Sequence, residues 1–278
     1  MINICRADIY RILRSKGFYI ILGVVLLLIC FTLAAMEPGV VFSIGLQQSD
    51  VSEAIKEISY DEYSHFTIKQ SRNFLMHSPV YWLERDYLSQ NMNYYYMFIV
   101  IAVITITSDF SNGSVKNTLS SAISRRKYYM AKAGLAAALC LSVLLFSTLM
   151  VHLGMRLFNS SANILSFAEL MKIFVLQLPV ALTLVSILVG LSFIFRKTAV
   201  INGVTIPLVM VFQLFMMIAK NLIKWDIPFE DYELSSMFYF MAHDPSSSYI
   251  VKSCLICGAL ILAFNIAGYT SFKKAEIR

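Results

Sequence analysis

The chain has 278 residues, of which 58% are hydrophobic and only 14% charged, and its formal net charge is +6. Soluble domains carry about 25% charged residues, so this composition excludes an ordinary soluble protein. The mean hydropathy of +0.68 instead indicates an integral membrane protein. We take residues 1–278 as a single transmembrane domain.

Six apolar segments are predicted to be membrane spans, and the second of them is short and is expected to include residues 91–93 at its aromatic end. A helix needs roughly 20 apolar residues to cross the hydrocarbon core. The segments are continuously apolar rather than alternating, which predicts α-helices and excludes barrel strands. The fold class is therefore an all-α membrane protein with six transmembrane helices. The segments are residues 18–36, 94–107, 131–153, 171–195, 199–219 and 249–270.

Lys and Arg residues concentrate at one set of span ends, where the accompanying acids are only Asp8, Asp109 and Glu276. The positive-inside rule places these ends in the cytoplasm. Both termini and the loop at 109–130 are then cytoplasmic. We expect a multi-pass protein of the plasma membrane, in a bacterium.

Residues 1–17 form a basic leader with the pattern of an amphipathic interfacial helix. Apolar Ile9 and Ile12 share one side, while Arg6, Arg11 and Arg14 surround the other and can reach lipid phosphates. Membrane lipids are therefore expected partners. Two roles are open: an anchor that only sets orientation, or an elbow helix that bears on a neighbouring element.

Residues 37–93 form the largest exterior loop. Asp50 and Glu53 suit a capping box, and Ser78-Pro79 is a favourable helix start. The helix after Pro79 is expected to place three apolar residues on one face, namely Val80, Leu83 and Tyr87.

Enzymatic motifs are missing. The chain has no phosphate-binding P-loop and no H-E-x-x-H, and its four histidines lack ligand spacing. Cys254 and Cys257 share a helix face, but packing explains them better than a redox or metal pair. We expect no enzyme activity, no metal, no cofactor bound by this chain and no nucleic-acid partner.

The middles of the spans hold no Asp, Glu, Lys or Arg, which argues against ion-coupled transport. Other polar residues and prolines do occur there, and they are candidates for the wall of a translocation pathway. Packing between helices explains the amides equally well. The candidates are Gln177, Pro179, Asn202, Thr205 and Gln213.

The polar loop at 109–130 contains its own short helix. Val115, Leu119 and Ile123 recur at helical spacing and form an apolar face. Asn112-Gly113-Ser114 supplies a turn before this helix, and Ser124 ends it. The loop thus presents a shaped surface rather than a bare connection.

This loop resembles the one between the second and third spans in permease subunits of type-two ABC exporters. The shared pattern is Asp109, then Gly113-Ser114-Val115-Lys116-Asn117, then Ser124-Arg125-Arg126 with Tyr128-Tyr129 and Lys132. The layout of six spans and the tail at 268–277 resemble the same family. The resemblance implies that the loop is a coupling helix seated on a separate ATPase. The residues it assigns to coupling are Asp109, Asn112, Gly113, Ser114, Val115, Lys116, Leu119, Ile123, Arg125 and Arg126.

The same resemblance implies two permease chains, as a homodimer or a related heterodimer, and two ABC ATPase subunits that bind ATP and Mg. Among such permeases, those of lantibiotic and bacitracin self-protection systems suggest an antimicrobial peptide or another amphipathic compound as cargo. An acidic exterior segment at 220–248 suits cationic cargo, although depletion of basic residues outside explains it equally. The alternatives are a stand-alone carrier or channel, and a non-transporting scaffold or sensor.

Overall fold

The computed structural model describes residues 2–35, 79–89, 94–120, 123–158, 164–207, 232–243 and 245–275. Within these ranges the regular structure is helical, and no strand is found. The helices are α1 (Ile2–Arg14), α2 (Lys16–Ala35), α3 (Pro79–Ser89), α4 (Tyr95–Ala102), a π-helical turn (Val103–Thr107), α5 (Ser108–Ser111), α6 (Ser114–Ser120), α7 (Arg125–Phe158), α8 (Phe167–Phe195), α9 (described over Thr198–Pro207), α10 (Leu234–Ala242) and α11 (Ser247–Lys274).

The predicted apolar segments are confirmed as helices wherever the structure describes them. Helices α7, α8 and α11 are long and apolar enough to cross a membrane. Helix α2 covers the first segment, and α4 continues through the π-helical turn and α5 as one apolar helix, Tyr95–Ser111. The fifth segment is described only over α9, so Gln213 lies outside the described residues. Most of the 37–93 loop, with Asp50 and Glu53, also lies outside them.

Helix α8 is the central element, because it is the most buried of the three long helices and contacts α4, α7, α10 and α11. Its start is set by a capping box in which Ser166 and Glu169 bind each other's backbone N–H groups. Its end is set by Arg196, which adopts the left-handed conformation at φ 59°. Both signals are local in sequence, so the length of α8 is determined before it packs.

Helices α8 and α11 approach most closely where two glycines meet. A Cβ atom on Gly190 would lie 2.6 Å from the carbonyl oxygen of Phe264, and one on Gly268 would lie 2.8 Å from Cα of Gly190. Real Cβ atoms do not come this close to backbone atoms, so any larger residue would push the helices apart. Missing side chains therefore allow the tightest helix contact of the described fold.

The bundle has two distinct ends. At the basic end lie α1, α5 and α6, together with the start of α7 and the last turns of α8 and α11. At the far end lie the short helices α3 and α10, together with the last turns of α7 and the starts of α8 and α11. Polar side chains are buried at both ends, and the loop predicted to be functional belongs to the basic end.

Candidate functional site

The loop of the basic end folds as its sequence predicts. Asn112 closes a turn by donating its N–H to the Ser108 carbonyl at 2.9 Å, and Gly113 has φ 68°, a conformation that glycine adopts without strain. Helix α6 follows directly. The hydroxyl of Ser114 donates a hydrogen bond to the Asp109 carbonyl at 3.3 Å. Turn and helix are thus fastened to the end of the preceding helix.

Helix α6 has one inner and one outer face. Val115 is 1% exposed, and Leu119 and Ile123 pack against the main core, as the apolar spacing predicts. Lys116 and Asn117 are exposed on the outer side. The loop therefore holds a short helix flat against the bundle and turns polar side chains outward.

The two arginines after the loop have different environments. Arg125 opens α7 and donates to the carbonyls of Phe272, Lys273 and Ala275 at 3.0, 2.7 and 2.8 Å. These carbonyls lie in and just after the last turn of α11, where the Phe272 carbonyl also accepts from the Ala275 N–H at 3.3 Å, so Arg125 serves as a C-terminal cap. Arg126 is exposed. Of the two, only Arg126 offers its guanidinium to a partner.

A buried set of charged groups, which we call the charge cluster, lies beneath this loop. Its members are Asp8 and Arg11 of α1, Asp109 of α5, and Tyr128 and Lys132 of α7. Asp109 accepts from Arg11 and, at 2.7 Å, from the hydroxyl of Tyr128, and its Oδ2 lies 2.5 Å from Lys132 Nζ. Lys132 Nζ also lies 2.7 Å from Asp8 Oδ2, and Arg11 Nη2 lies 3.3 Å from Asp8 Oδ1. Oδ2 of Asp8 makes no aligned hydrogen bond in the described structure, so its contact with Lys132 is purely an ion pair.

The charges of this cluster balance, with two carboxylates facing one guanidinium and one ammonium. Lys132 is only 1% exposed, a position that an amine tolerates when carboxylates surround it. Burial alone would raise the pKa of Asp109, but Lys132, Arg11 and Tyr128 outweigh it and hold that pKa below its usual value. Asp109 is therefore ionised across the physiological pH range.

Sequence reasoning included Asp109, Tyr128 and Lys132 in the pattern shared with the family, but it did not predict that they meet Asp8 and Arg11 in a cluster. A usable signal existed in the charge pattern. Asp8 and Asp109 are two of only three acids among the many basic residues of these ends, and an acid among bases is expected to form ion pairs. No feature of the sequence indicated that Lys132 is buried.

Aromatic rings surround the cluster on the bundle side. Tyr128 lies 5.6 Å from Phe272 and 6.4 Å from Phe193, measured between ring centroids. Phe110, directly after Asp109, contacts the same two phenylalanines at 6.0 and 5.9 Å. The loop is thereby packed on the ends of α8 and α11, and water is kept from one side of the charge cluster.

The pathway candidates are distributed through the bundle. Gln177 is fully buried and donates to the carbonyls of Leu88 and Phe238 at 2.9 and 3.1 Å. Pro179 lies inside α8, and its carbonyl accepts from the Thr183 hydroxyl at 2.8 Å.

Thr205 is buried and bonds its own helix at the Ile201 carbonyl, whereas Asn202 is half-buried. Gln177 therefore joins α8 to α3 and α10, whereas the bonds of the Pro179 carbonyl and the Thr205 hydroxyl stay within their own helices. A cleft of about 320 Å³ lies elsewhere, between α1, α2, α4, the π-helical turn and α7, and none of these candidates lines it.

A second polar set occupies the far end, around α3. Glu84 is 0% exposed, and its carboxylate lies 2.6 Å from Nδ1 of His152 and accepts the Leu165 N–H at 3.1 Å. Asp86 pairs with Nε2 of His243 at 2.9 Å. Burial raises the pKa of Glu84 above its usual value despite the nearby His152.

Helix α3 begins at Pro79, as predicted. The apolar face predicted for it depends on Val80 and Leu83, whose side chains lie outside the described structure, and on Tyr87, which is half-buried. The buried residues among the described side chains of α3 are Tyr81, Glu84, Arg85, Leu88 and Ser89. Polar residues are buried here because partners on α7, α10 and the start of α8 satisfy them.

Comparison with known protein families matches residues 2–277 to the family described as ABC-2 family transporter protein. A search of curated proteins found no match. The family match spans nearly the whole chain, and the apolar all-helical fold agrees with it. It indicates a permease, the membrane subunit of an ABC transporter, and implies an ATPase partner. The chain therefore belongs to the ABC-2 transporter family.

Proposed function

We propose that this chain is the transmembrane subunit of an ATP-driven exporter and that the loop at 109–130 binds the ATPase. In this arrangement the chain has six spans and both termini in the cytoplasm. An elbow helix occupies residues 1–17, and a coupling helix lies between the second and third spans. Family membership and the helices at the predicted positions support this proposal. The basic end then faces the cytoplasm, where the ATPase is.

The observation that carries the proposal is the two-faced helix α6. Its inner residue Val115 is buried in the core of the bundle, while Lys116 and Asn117 face outward. A simple connection between two spans needs only a few residues. This loop instead contains a helix that a turn, the Ser114 hydroxyl and an apolar face hold flat against the bundle, which indicates a further role. Its outer face suits docking on another protein at the membrane surface.

The mechanism follows from differential binding of ATP. ATP, with Mg, binds the closed form of two ATPase subunits better than the open form, so nucleotide binding shifts the whole assembly. Movement of α6 then drives two permease chains, identical or related, from an inward-facing to an outward-facing state. This chain forms the pathway and hydrolyses no ATP itself.

The cargo we propose is an antimicrobial peptide or another amphipathic compound, on the basis of the resemblance to lantibiotic and bacitracin self-protection permeases. The prediction is direct: cells without this chain become more sensitive to the cognate peptide, and the wild-type gene restores resistance. Equal sensitivity to a panel of cationic peptides would remove this cargo class without affecting the proposed ATPase coupling.

The coupling proposal is tested with the tagged chain purified in mild detergent from its native membrane. A P-loop ATPase is expected at near-equal stoichiometry. Lys116→Glu should lower its recovery or uncouple its hydrolysis, because the outer face of α6 is reversed in charge. Lys252→Glu, on an exposed residue at the far end of the bundle, is the matched control. Recovery of the chain alone, with ATPases present in the extract, would contradict the proposal.

A further inference from the structure

Helix α1 does not pack as a simple surface anchor. Its buried residues include a carboxylate, since Asp8 is 7% exposed alongside Ile12 at 3%, whereas Arg6 and Arg14 are exposed. An anchor that only sets orientation needs exposed basic residues and an apolar face. A buried Asp adds a cost of desolvation that such an anchor has no reason to carry.

Two residues of α1, Arg11 and Asp8, make polar contacts with the rest of the basic end. Arg11 reaches Asp109, and its Nη2 also lies 3.4 Å from the Ile104 carbonyl in the π-helical turn. Asp8 forms its ion pair with Lys132 of α7 at 2.7 Å. The leader is thus tied both to the helix that enters the loop and to the helix that leaves it.

The ion pair of Asp8 with Lys132 resists separation because both side chains are buried, whereas Arg11 is half-buried. Moving α1 away from the loop would leave Asp109 and Lys132 as one pair and expose Asp8 and Arg11 to a new environment. Charge pairs in a low-dielectric site are much harder to separate than pairs in water. The leader and the loop are therefore expected to move as one body.

The leader is also connected directly to the first long helix. Only Ser15 separates α1 from α2, and its hydroxyl donates to the Ile12 carbonyl at 2.8 Å and accepts from the Phe18 N–H at 3.2 Å. Because the junction is a single residue with hydrogen bonds on both sides, α1 and α2 have little freedom to move relative to each other. Displacement of α1 is passed to α2 without an intervening flexible linker.

We propose that α1 belongs to the coupling unit and that Asp8 and Lys132 are positioning residues that lock it to the loop. When the ATPase displaces α6, α1 follows, and α2 is moved through Ser15. This inference rests on the proposed function, because it assumes that the ATPase acts on α6. It adds a second route, through the leader, by which that action reaches the spans.

The variant that tests it is Asp8→Asn combined with Arg11→Gln. It removes one negative and one positive charge and leaves Asp109, Tyr128 and Lys132 as a balanced set. The chain should still insert and bind its ATPase, while cargo-linked ATP hydrolysis falls by about tenfold, within the range usual for coupling between sites. Arg11→Lys, which keeps the charge, should restore most of the activity when Asp8 is intact. Arg14→Gln, on an exposed residue, should have no effect.

Distances between spin labels distinguish a loss of coupling from a loss of stability. Spin labels are placed at Tyr10 of α1 and Asn117 of α6, each measured against Phe167 at the far end, with the five native cysteines replaced. All three label sites are exposed. In the assembled transporter trapped with ATP, the distances Tyr10–Phe167 and Asn117–Phe167 should shift together while Tyr10–Asn117 stays constant. In the double variant only Asn117 should move.

Each other result overturns the inference in a recognisable way. A change in Tyr10–Asn117 in the wild-type chain, or a double variant that moves and hydrolyses like wild type, would show that the leader is not locked to the loop, although the ATPase still acts on α6. If Asn117 itself fails to move when ATP is trapped, the proposed coupling at α6 is wrong, and the role of α1 is wrong with it.

Discussion

The two ends of the bundle bury polar groups in different ways. The charge cluster of the basic end pairs Asp8 and Asp109 with the guanidinium of Arg11 and the ammonium of Lys132. The far end pairs its carboxylates, Glu84 and Asp86, with the imidazoles of His152 and His243. The two ends therefore hold their helices together with different kinds of polar pair.

The proposed function gives the two ends different tasks. The basic end would transmit movement from the ATPase, and its Asp109 stays ionised because Lys132, Arg11 and Tyr128 outweigh burial and lower its pKa. Four substitutions, at Lys132, Gln177, Arg125 and Glu84, test this difference between the ends.

Removing Lys132 should be the most damaging change. Lys132→Met leaves Asp8 and Asp109 buried with only Arg11 between them, and breaking one partner of a buried charge set costs about 3–5 kcal/mol. The free energy of unfolding in detergent micelles measures this. Lys127→Met, at an exposed position of the same helix, is the control and should change it by less than about 0.5 kcal/mol. A similar loss of unfolding free energy in both variants would mean that the charge cluster does not hold α1, α5 and α7 together.

Gln177→Leu tests the far end without touching its histidines. The change leaves the Leu88 and Phe238 carbonyls without the amide donor, and an unsatisfied buried polar group costs about 1–3 kcal/mol. We expect a loss of about 2 kcal/mol. Asn202→Leu, at a half-buried amide, should cost less. Unchanged stability combined with altered cargo export would instead favour a pathway role for Gln177.

Arg125→Gln tests the cap on α11. Three carbonyls lose a charged donor at a half-exposed position, and we expect a loss of about 1 kcal/mol, typical of helix-terminal charges. Fraying should appear as faster amide exchange in the last turn of α11. Arg126→Gln, on the exposed neighbour, should leave that exchange unchanged. If both variants behave alike, the guanidinium of Arg125 is not the cap.

The pH dependence of stability should differ between the two ends. The lowered pKa of Asp109 stabilises the fold above the usual Asp pKa, and this stabilisation is lost as the pH falls through the folded value. The raised pKa of Glu84 has the opposite sign, since its contribution is present below the usual Glu pKa and is lost as the pH rises through the folded value. Glu84→Gln should remove the decline toward higher pH and leave the acid limb intact. A decline that persists in this variant would refute the assignment to Glu84.

The sequence alone predicted the helices and the fold of the loop, because their signals are local. Apolar runs marked each described long helix, and Gly113 marked the turn. Helix formation and turn geometry depend on neighbours within a few residues, so one chain is enough to read them. The family resemblance at the loop rested on the same local residues.

Only the tertiary structure decided which charges are buried and with whom. Asp8, Asp109 and Lys132 are far apart in sequence, and nothing local distinguishes Lys132 from the exposed lysines beside it. The same holds for Glu84 with His152, and for the contact of Gly190 with Gly268. A buried charge is stable only beside its partners, and those partners are brought together by helix packing. Hence the sequence determined where the loop is, and the packing of α1 and α7 against α5 determined what holds it.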